Sequence, residues 1–252
     1  MAVTYASYLK LDELLSLQQP RPGALEHDET LFVIIHQVYE LWFKEVLHEL
    51  DHLQRLLRAN DAPLASHTLK RILTILKTLV AQIDVLETIT PLNFLSFRDR
   101  LESGSGFQSH QFREIEFVMG KKARPSFERY PEGSEERKRV ERRFHEPTLW
   151  DAFLQYLGAN KYAVPKTPTV PSPEVQRILV DVYKKNPTVA QIAERLVDLD
   201  EGFMEWRYRH VKMVQRTIGT KPGTGGSAGA EYLMTTINQP AFPDLWAIRA
   251  EL

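Results

Sequence analysis

The chain has 252 residues, of which 43% are hydrophobic and 26% charged, with a formal net charge of −1 at pH 7. This composition is typical of an ordinary globular protein, and the balanced charge argues against a nucleic-acid or anionic-membrane partner. We expect neither a membrane span nor a signal peptide, since no apolar run approaches ~20 residues. The chain contains no cysteine, which excludes disulfides, thiolate haem ligands and cysteine zinc sites. We expect a cytoplasmic protein whose metal, where it holds one, is bound by histidine or carboxylate.

Apolar residues at three- and four-residue steps predict helices along most of the chain. The three longest predicted helices span Glu29 to about Ala59, Leu64 to Ile89, and Thr188 to about Ile218. Shorter ones are predicted at about 108–119, 135–144, 148–158 and 174–185. No segment alternates with a period of two, and the proline-containing stretches 121–133 and 161–173 are predicted to be surface connections. The prediction is one all-α domain over residues 1–252.

The first long predicted helix contains two histidine patterns that are candidates for metal binding or catalysis. His48-Glu-Leu-Asp-His52 matches the two-histidine zinc motif HExxH. The apolar stripe passes through Leu47 and Leu50, so we place both histidines and Glu49 on the solvated side and favour a polar face over zinc. His36, in contrast, follows Phe32-Val-Ile-Ile. It is either a hydrogen-bonded core residue or a ligand or base lining a cavity.

Two further segments have compositions suited to binding a small molecule. Arg98 precedes the small-residue turn Ser103-Gly-Ser105-Gly. Arginine presents a planar fork to carboxylates, but a capped turn with a surface ion pair fits this sequence equally well. His210 lies in a helical pattern as a candidate metal ligand, ahead of the glycine-dense loop 223–229. That loop is not a phosphate-binding P-loop, and we expect it to close over a ligand through Thr224.

Read together, these segments resemble the tryptophan 2,3-dioxygenase family in order and approximate spacing, from Tyr5 to about Trp246. The blocks that carry the resemblance are Phe32…His36-Gln-x-Tyr-Glu-Leu-Trp, Phe97-Arg98, Ser105-Gly-Phe-Gln-Ser-x-Gln-Phe-Arg113 and Arg207-Tyr-Arg-His210…Gly223-Thr-Gly-Gly-Ser-x-Gly229. The resemblance implies an all-helical bundle with b-type haem bound between its helices, assembled as a cytoplasmic homotetramer. It also implies that both atoms of O2 are inserted across the indole C2–C3 bond of L-tryptophan, giving N-formylkynurenine for tryptophan catabolism along the kynurenine pathway.

The resemblance also implies a role for individual residues. His210 corresponds to the axial ligand of the haem iron, and His36 to the distal histidine that accepts a hydrogen bond from the indole N–H. Arg98 corresponds to the arginine that binds the substrate carboxylate, and Thr224 to the loop threonine that contacts the substrate's ammonium or carboxylate group. The remaining positions carried over are pocket walls at Phe32, Phe94 and Leu101, the haem edge at Ser105, and Tyr5 and Tyr8, which complete a neighbouring subunit's pocket.

Some positions depart from the family pattern. Gly104 stands where the family usually has Ser or Ala, which suggests a larger pocket near the haem. Thr220, Pro222 and Ala228 replace the usual Phe, Arg and Ser around the loop. These departures leave an alternative open, a haem mono-oxygenase or hydroxylase of a substituted tryptophan or another aromatic amino acid. We favour ring cleavage, since Arg98, His36 and Thr224 are retained.

Overall fold

The computed structural model describes residues 2–19, 26–123, 126–166, 170–224 and 230–252, and the regular structure in these ranges is helical. The α-helices are α1 Tyr5–Leu9, α2 Leu11–Leu15, α3 His27–Arg58, α4 Ala62–Leu86, α5 Pro91–Arg98, α6 His110–Val118, α7 Glu135–His145, α8 Leu149–Ala159, α9 Pro173–Lys185, α10 Pro187–Ile218, α11 Ala230–Ile237 and α12 Pro243–Ala247. Short 3-10 helices span Asp99–Leu101, Gly106–Gln108 and Ile248–Glu251. The predicted all-α fold is confirmed.

Three long helices form the centre of the bundle. Helix α4 packs against both α3 and α10, α8 covers α3, and α9 packs against α10. One apolar cluster joins them, and its fully buried members include Leu53, Leu69, Phe153, Leu179 and Leu196. Burial of one face of each helix supplies most of the stability of such a bundle, because isolated helices are marginal in water. No helix within the described ranges is long and apolar enough to cross a membrane.

The bounds of the long helices follow from their terminal residues. Asp61 and Asn186 accept hydrogen bonds from the backbone N–H three residues on, and a proline occupies the first turn after each. Proline is tolerated there because its missing N–H has no helical partner in any case. Helix α10 ends at Gly219, whose φ of 61° and ψ of −126° glycine adopts most readily. The helix end predicted at about Ile218 is therefore confirmed.

All seven predicted helices are present, with bounds that differ by a few residues at most. The helices that the pattern did not predict are α1, α2, α5, α11 and α12, each of five to eight residues. One or two turns are too short to display a helical period. Pro91 illustrates the ambiguity, because it ends the preceding helical pattern and also starts α5, which Thr90 caps.

The C-terminal segment is tied to α10 by one buried carboxylate. Asp200 accepts hydrogen bonds from the backbone N–H groups of Ala241 and Phe242 at 2.9 and 3.1 Å, and from Trp246 Nε1 at 3.0 Å. Its side chain is fully buried. A buried charge that satisfies several donors fixes the elements that carry them. Helix α10 is therefore held from both sides, by α4 and by the C-terminal segment.

Candidate functional site

His210 lies on α10 at the base of an aromatic cluster. Its imidazole stacks on Trp206, one turn earlier, with ring centroids 5.2 Å apart and an interplanar angle of 13°. Trp206 in turn packs against Phe112 at 4.9 Å, and against Phe43 and Tyr39. These five residues are called the floor of the site. Since Trp206 covers one face of the imidazole and is itself held by the other three rings, the orientation of His210 is set by packing.

His210 is a neutral imidazole at pH 7. Its pKa is lowered to about 4, mainly by burial, and the positive charges of His36 and Arg207 contribute in the same direction. The ring makes no hydrogen bond to any residue that the structure describes. A neutral imidazole with an unused nitrogen lone pair is the form that binds a metal ion.

His36, on α3, is fixed in one tautomer. Its Nδ1 lies 2.7 Å from the carbonyl oxygen of Phe32, one turn earlier. Because a carbonyl only accepts, Nδ1 carries the hydrogen and donates it. Burial lowers the pKa of His36, while the Phe32 carbonyl and Glu40 act in the opposite direction. The neutral ring therefore presents Nε2 as a hydrogen-bond acceptor.

An apolar wall of three phenylalanines stands beside His36. Phe32 lies 4.1 Å from the His36 ring, 5.8 Å from Phe94 and 5.5 Å from Phe97, measured between ring centroids. Phe94 and Phe97 meet edge to face at 5.5 Å. The sequence predicted Phe32 and Phe94 as pocket walls, but it did not single out Phe97, which is fully buried. The helical spacing of Phe94 and Phe97 on α5 is the signal that was missed.

Two hydrogen bonds join the segment after α10 to the end of α5 and the turn that follows it. Arg98 Nη2 donates to the carbonyl oxygen of Pro222 at 2.6 Å, and Thr224 Oγ1 donates to the carbonyl oxygen of Gly104 at 2.6 Å. These four residues are called the rim of the site. Arg98 and Thr224, predicted separately from the sequence, are thus brought to the same edge. The rest of the predicted loop, residues 225–229, lies outside the described residues.

Gly104 has a local structural reason to be glycine. Its N–H donates to the carbonyl oxygen of Leu101 at 2.7 Å, and a Cβ at this position would lie 2.9 Å from that oxygen. Glu102, within the same turn, has a φ of 50° and a ψ of −117°. The turn is therefore tight and locally strained. The missing β-carbon relieves a clash with backbone, and the predicted enlargement of the pocket is not needed to explain it.

Leu101 and Ser105 flank this turn. Leu101 ends the 3-10 helix that follows α5 and is half-buried. Ser105 caps the next 3-10 helix, since its hydroxyl accepts a hydrogen bond from the N–H of Phe107 at 3.3 Å. The cap predicted here is confirmed, while the position of Ser105 at a haem edge stays a prediction. Tyr5 and Tyr8, on α1, are each 77% exposed.

The HExxH pattern does not form a metal centre in the described part of the chain, where no three His, Cys, Asp or Glu side chains are grouped to hold a metal ion. His48 is exposed and His52 half-buried on α3. The predicted solvated position of Glu49 was wrong: its side chain is 4% exposed and pairs with Arg71 at 2.7 Å. Glu49 is adjacent to Leu50 on α3, and helix α4, which packs on α3, covers both side chains.

The donors at the site suit a haem better than a bare cation. A metal ion bound by protein alone usually needs three or four ligands, whereas haem supplies four nitrogens and needs one axial imidazole from the protein. His210 provides a neutral imidazole, the floor provides flat apolar surface, and His36 leaves its acceptor nitrogen unbonded. The residues present therefore fit a histidine-ligated haem.

Comparisons with a family model and with individual proteins both identify the same family. The sequence model of the tryptophan 2,3-dioxygenase family matches residues 1–159 and 174–252. A tryptophan 2,3-dioxygenase of Herpetosiphon aurantiacus is 61% identical over 259 residues, covering 100% of this chain and 99% of that protein. Those of Anaeromyxobacter sp. (strain K) and Pseudomonas fluorescens are 55% and 37% identical, and each covers 100% of this chain. The chain belongs to the tryptophan 2,3-dioxygenase family.

Proposed function

We propose that the chain is a haem-dependent oxidoreductase that inserts both atoms of O2 across the indole C2–C3 bond of L-tryptophan, yielding N-formylkynurenine. The observation that carries the proposal is the neutral, buried imidazole of His210 together with His36, which packs on a phenylalanine wall whose helix α5 ends at Arg98. Relatives with this named activity extend over the whole chain. In this proposal residues 1–252 work as one domain, which agrees with a core that reaches from Ile35 to Ile248.

His210 is the residue that would hold the iron. Its neutral imidazole offers a lone pair without first losing a proton, and the stack on Trp206 holds the ring in place. Haem, when bound, supplies the activation of O2. What the protein adds around it is placement of the substrate and exclusion of water.

His36 and Arg98 would bind the two ends of the amino acid. The Nε2 acceptor of His36 suits the indole N–H, and this role requires orientation but no strong base. Arg98 has five N–H donors, of which the bond to Pro222 uses one, so the fork retains donors for a carboxylate. Thr224, at the same rim, would contact the ammonium or carboxylate group.

The remaining predicted residues would enclose the ring and complete the assembly. Phe32, Phe94 and Leu101 would pack around the indole, with Ser105 at the haem edge. Tyr5 and Tyr8 would enter the pocket of a neighbouring copy in a homotetramer. Their 77% exposure within one chain leaves both rings available for such a contact.

Turnover of L-tryptophan by the ferrous haem-loaded protein under isotopically labelled O2 tests the proposal. Two labelled atoms in N-formylkynurenine are expected. A single labelled atom in a hydroxylated product would replace the proposal with mono-oxygenation, and no product would refute the substrate.

The axial role of His210 has a separate test. His210→Ala is expected to abolish stable haem binding, measured by the Soret absorbance of the purified protein. His48→Ala, on the exposed surface of α3, is the control and retains haem. Equal haem content in the two variants would contradict the assignment of His210.

A further inference from the structure

Helix α5 carries much of the proposed substrate pocket but has little burial of its own. It has eight residues and one buried side chain, Phe97. A helix this short is not stable by itself, so its position depends on what attaches it. Phe94 and Arg98 lie on it, and Leu101 follows in the 3-10 turn. Attachment of α5 therefore decides where the carboxylate-binding arginine stands relative to His36.

Three hydrogen bonds attach α5 and the 3-10 turn to the N-terminal end of α3. Asn93 Nδ2 donates to Asp28 Oδ2 at 2.6 Å, and Ser96 Oγ donates to Glu26 Oε2 at 3.1 Å. Both of these are at the exposed surface. The third is different, because Arg100 Nη1 donates to Glu29 Oε2 at 2.7 Å and the side chains are 20% and 5% exposed. Partial burial protects this pair from the screening that makes surface ion pairs weak.

The two partners of this pair lie next to the two ends of the pocket. Glu29 precedes Phe32 by one turn of α3 and His36 by two turns, so all three share a helix face. Arg100 lies two residues after Arg98, within the 3-10 helix that ends at Leu101. The Glu29–Arg100 pair therefore spans the gap between the element that holds His36 and the element that holds Arg98.

We propose that Glu29 and Arg100 are positioning residues, which fix the separation between the Arg98 guanidinium and His36 Nε2 and thereby match the pocket to the length of an aromatic amino acid. The inference rests on the proposed function. An amino acid bound at both ends requires that separation to be right, whereas a ring bound by His36 alone does not. Displacements of about 1 Å in such groups change rates up to ~100-fold, so one pair has a measurable effect.

The test compares two ligands on the ferric haem-loaded protein, in which no turnover occurs. L-Tryptophan has the carboxylate that Arg98 would bind, and indole does not. In Arg100→Gln we expect the Kd of L-tryptophan to rise about 10-fold, comparable to the loss of one well-placed charge-assisted contact, while the Kd of indole changes less than about 2-fold. KM for L-tryptophan should rise with its Kd. Arg100→Lys, which keeps a cation, should recover part of the loss.

A matched pair elsewhere in the chain separates positioning from stability. Arg71 and Glu49 also form a 2.7 Å contact with a buried glutamate, between α4 and α3 and away from α5. Arg71→Gln should lower the melting temperature as Arg100→Gln does, without changing the affinity for L-tryptophan. Equal Kd values for L-tryptophan in Arg100→Gln and the wild type would overturn the proposal, as would an equal loss of affinity in Arg71→Gln.

If Arg100→Gln folds poorly, a double variant that removes the charges of both Glu29 and Arg100 provides the same test. Glu29→Met combined with Arg100→Met leaves no unpaired buried charge and is expected to retain stability. It should still bind L-tryptophan more weakly and indole normally, and wild-type affinity for L-tryptophan in this variant would overturn the proposal. Wild-type protein that binds L-tryptophan but makes no N-formylkynurenine refutes the proposed function alone. Wild-type protein that does not bind L-tryptophan overturns both.

Discussion

The floor and the rim of the site are built by different interactions. The floor, around His210, consists of rings that pack against one another and against the core through Tyr39, Phe43 and Phe112. The rim is held by two side-chain to backbone hydrogen bonds, from Arg98 to Pro222 and from Thr224 to Gly104. Buried apolar area contributes several kcal/mol per large side chain, whereas a partly exposed hydrogen bond contributes about 1 kcal/mol.

This difference matches the tasks proposed for the two regions. A permanent cofactor requires a surface whose shape does not change, and ring packing provides one. A substrate that enters and leaves requires contacts that exchange at small cost, and hydrogen bonds at the surface provide those. We therefore expect substitutions in the floor to reduce stability and haem binding together, and substitutions in the rim to reduce substrate binding with little change in stability.

The largest effect is expected for Trp206→Ala in the floor. Trp206 is 8% exposed and contacts four floor or core rings, so its removal should lower the free energy of unfolding by about 3–5 kcal/mol. Haem affinity should fall as well, because the stack that orients His210 is lost. Urea denaturation and haem titration measure the two effects.

Trp150 provides the matched control for that experiment. It is 5% exposed, packs against Phe153 and Phe242, and lies on α8 away from His210. Trp150→Ala should lose similar stability, and the haem affinity of its folded fraction should stay at the wild-type value. Parallel Trp→Phe substitutions, which leave smaller cavities, should repeat the pattern. Loss of haem affinity in both variants would show that the stack on His210 has no specific effect.

A smaller loss is expected for Asp200→Asn, which acts on the anchor of α10. The amide retains an acceptor but loses the charge that satisfies three different donors, at a cost of about 2–3 kcal/mol. Asp198→Asn is the control, because Asp198 forms a surface ion pair with Arg195 and should cost under about 1 kcal/mol. Similar urea midpoints for the two variants would show that the C-terminal segment does not hold α10.

The candidate residues of the site were easier to predict from sequence than the contacts that hold them. His36 and His210 lie in long helices whose period places them beside aromatic residues, so pattern and resemblance singled out both as candidates. The hydrogen bond from Arg98 to Pro222 joins residues far apart in the chain. Its acceptor is a backbone carbonyl, which every residue has, so the sequence of Pro222 does not indicate the contact. Glu49 was misplaced for a related reason, since the cover that α4 gives it depends on packing between helices. The local sequence shows which face of a helix is apolar, but it does not show which neighbouring helix covers a given side chain.

Gly104→Ala tests the geometry of the rim with an intermediate effect. The added Cβ would lie 2.9 Å from the Leu101 carbonyl oxygen and would force open the turn that Gly104 closes. We expect a loss of about 1–2 kcal/mol in the free energy of unfolding and weaker binding of L-tryptophan, since the carbonyl that accepts from Thr224 moves. Gly106→Ala is the control, because a Cβ there meets nothing within 4 Å. Equal stability and affinity in the two variants would contradict the role of the turn.

The smallest change in stability is expected for Thr224→Val, where the difference between floor and rim is sharpest. Valine keeps the shape of threonine but cannot donate to the Gly104 carbonyl, so the free energy of unfolding should fall by less than about 1 kcal/mol. KM for L-tryptophan should nevertheless rise about 10-fold, because the hydroxyl proposed to contact the substrate is gone. Thr88→Val removes a comparable bond, to the Val85 carbonyl at 2.7 Å outside the site, and should leave KM unchanged. If Thr224→Val instead destabilised the protein as strongly as Trp206→Ala, the rim would be part of the structural core, and the proposed division between a fixed floor and an exchangeable rim would be wrong.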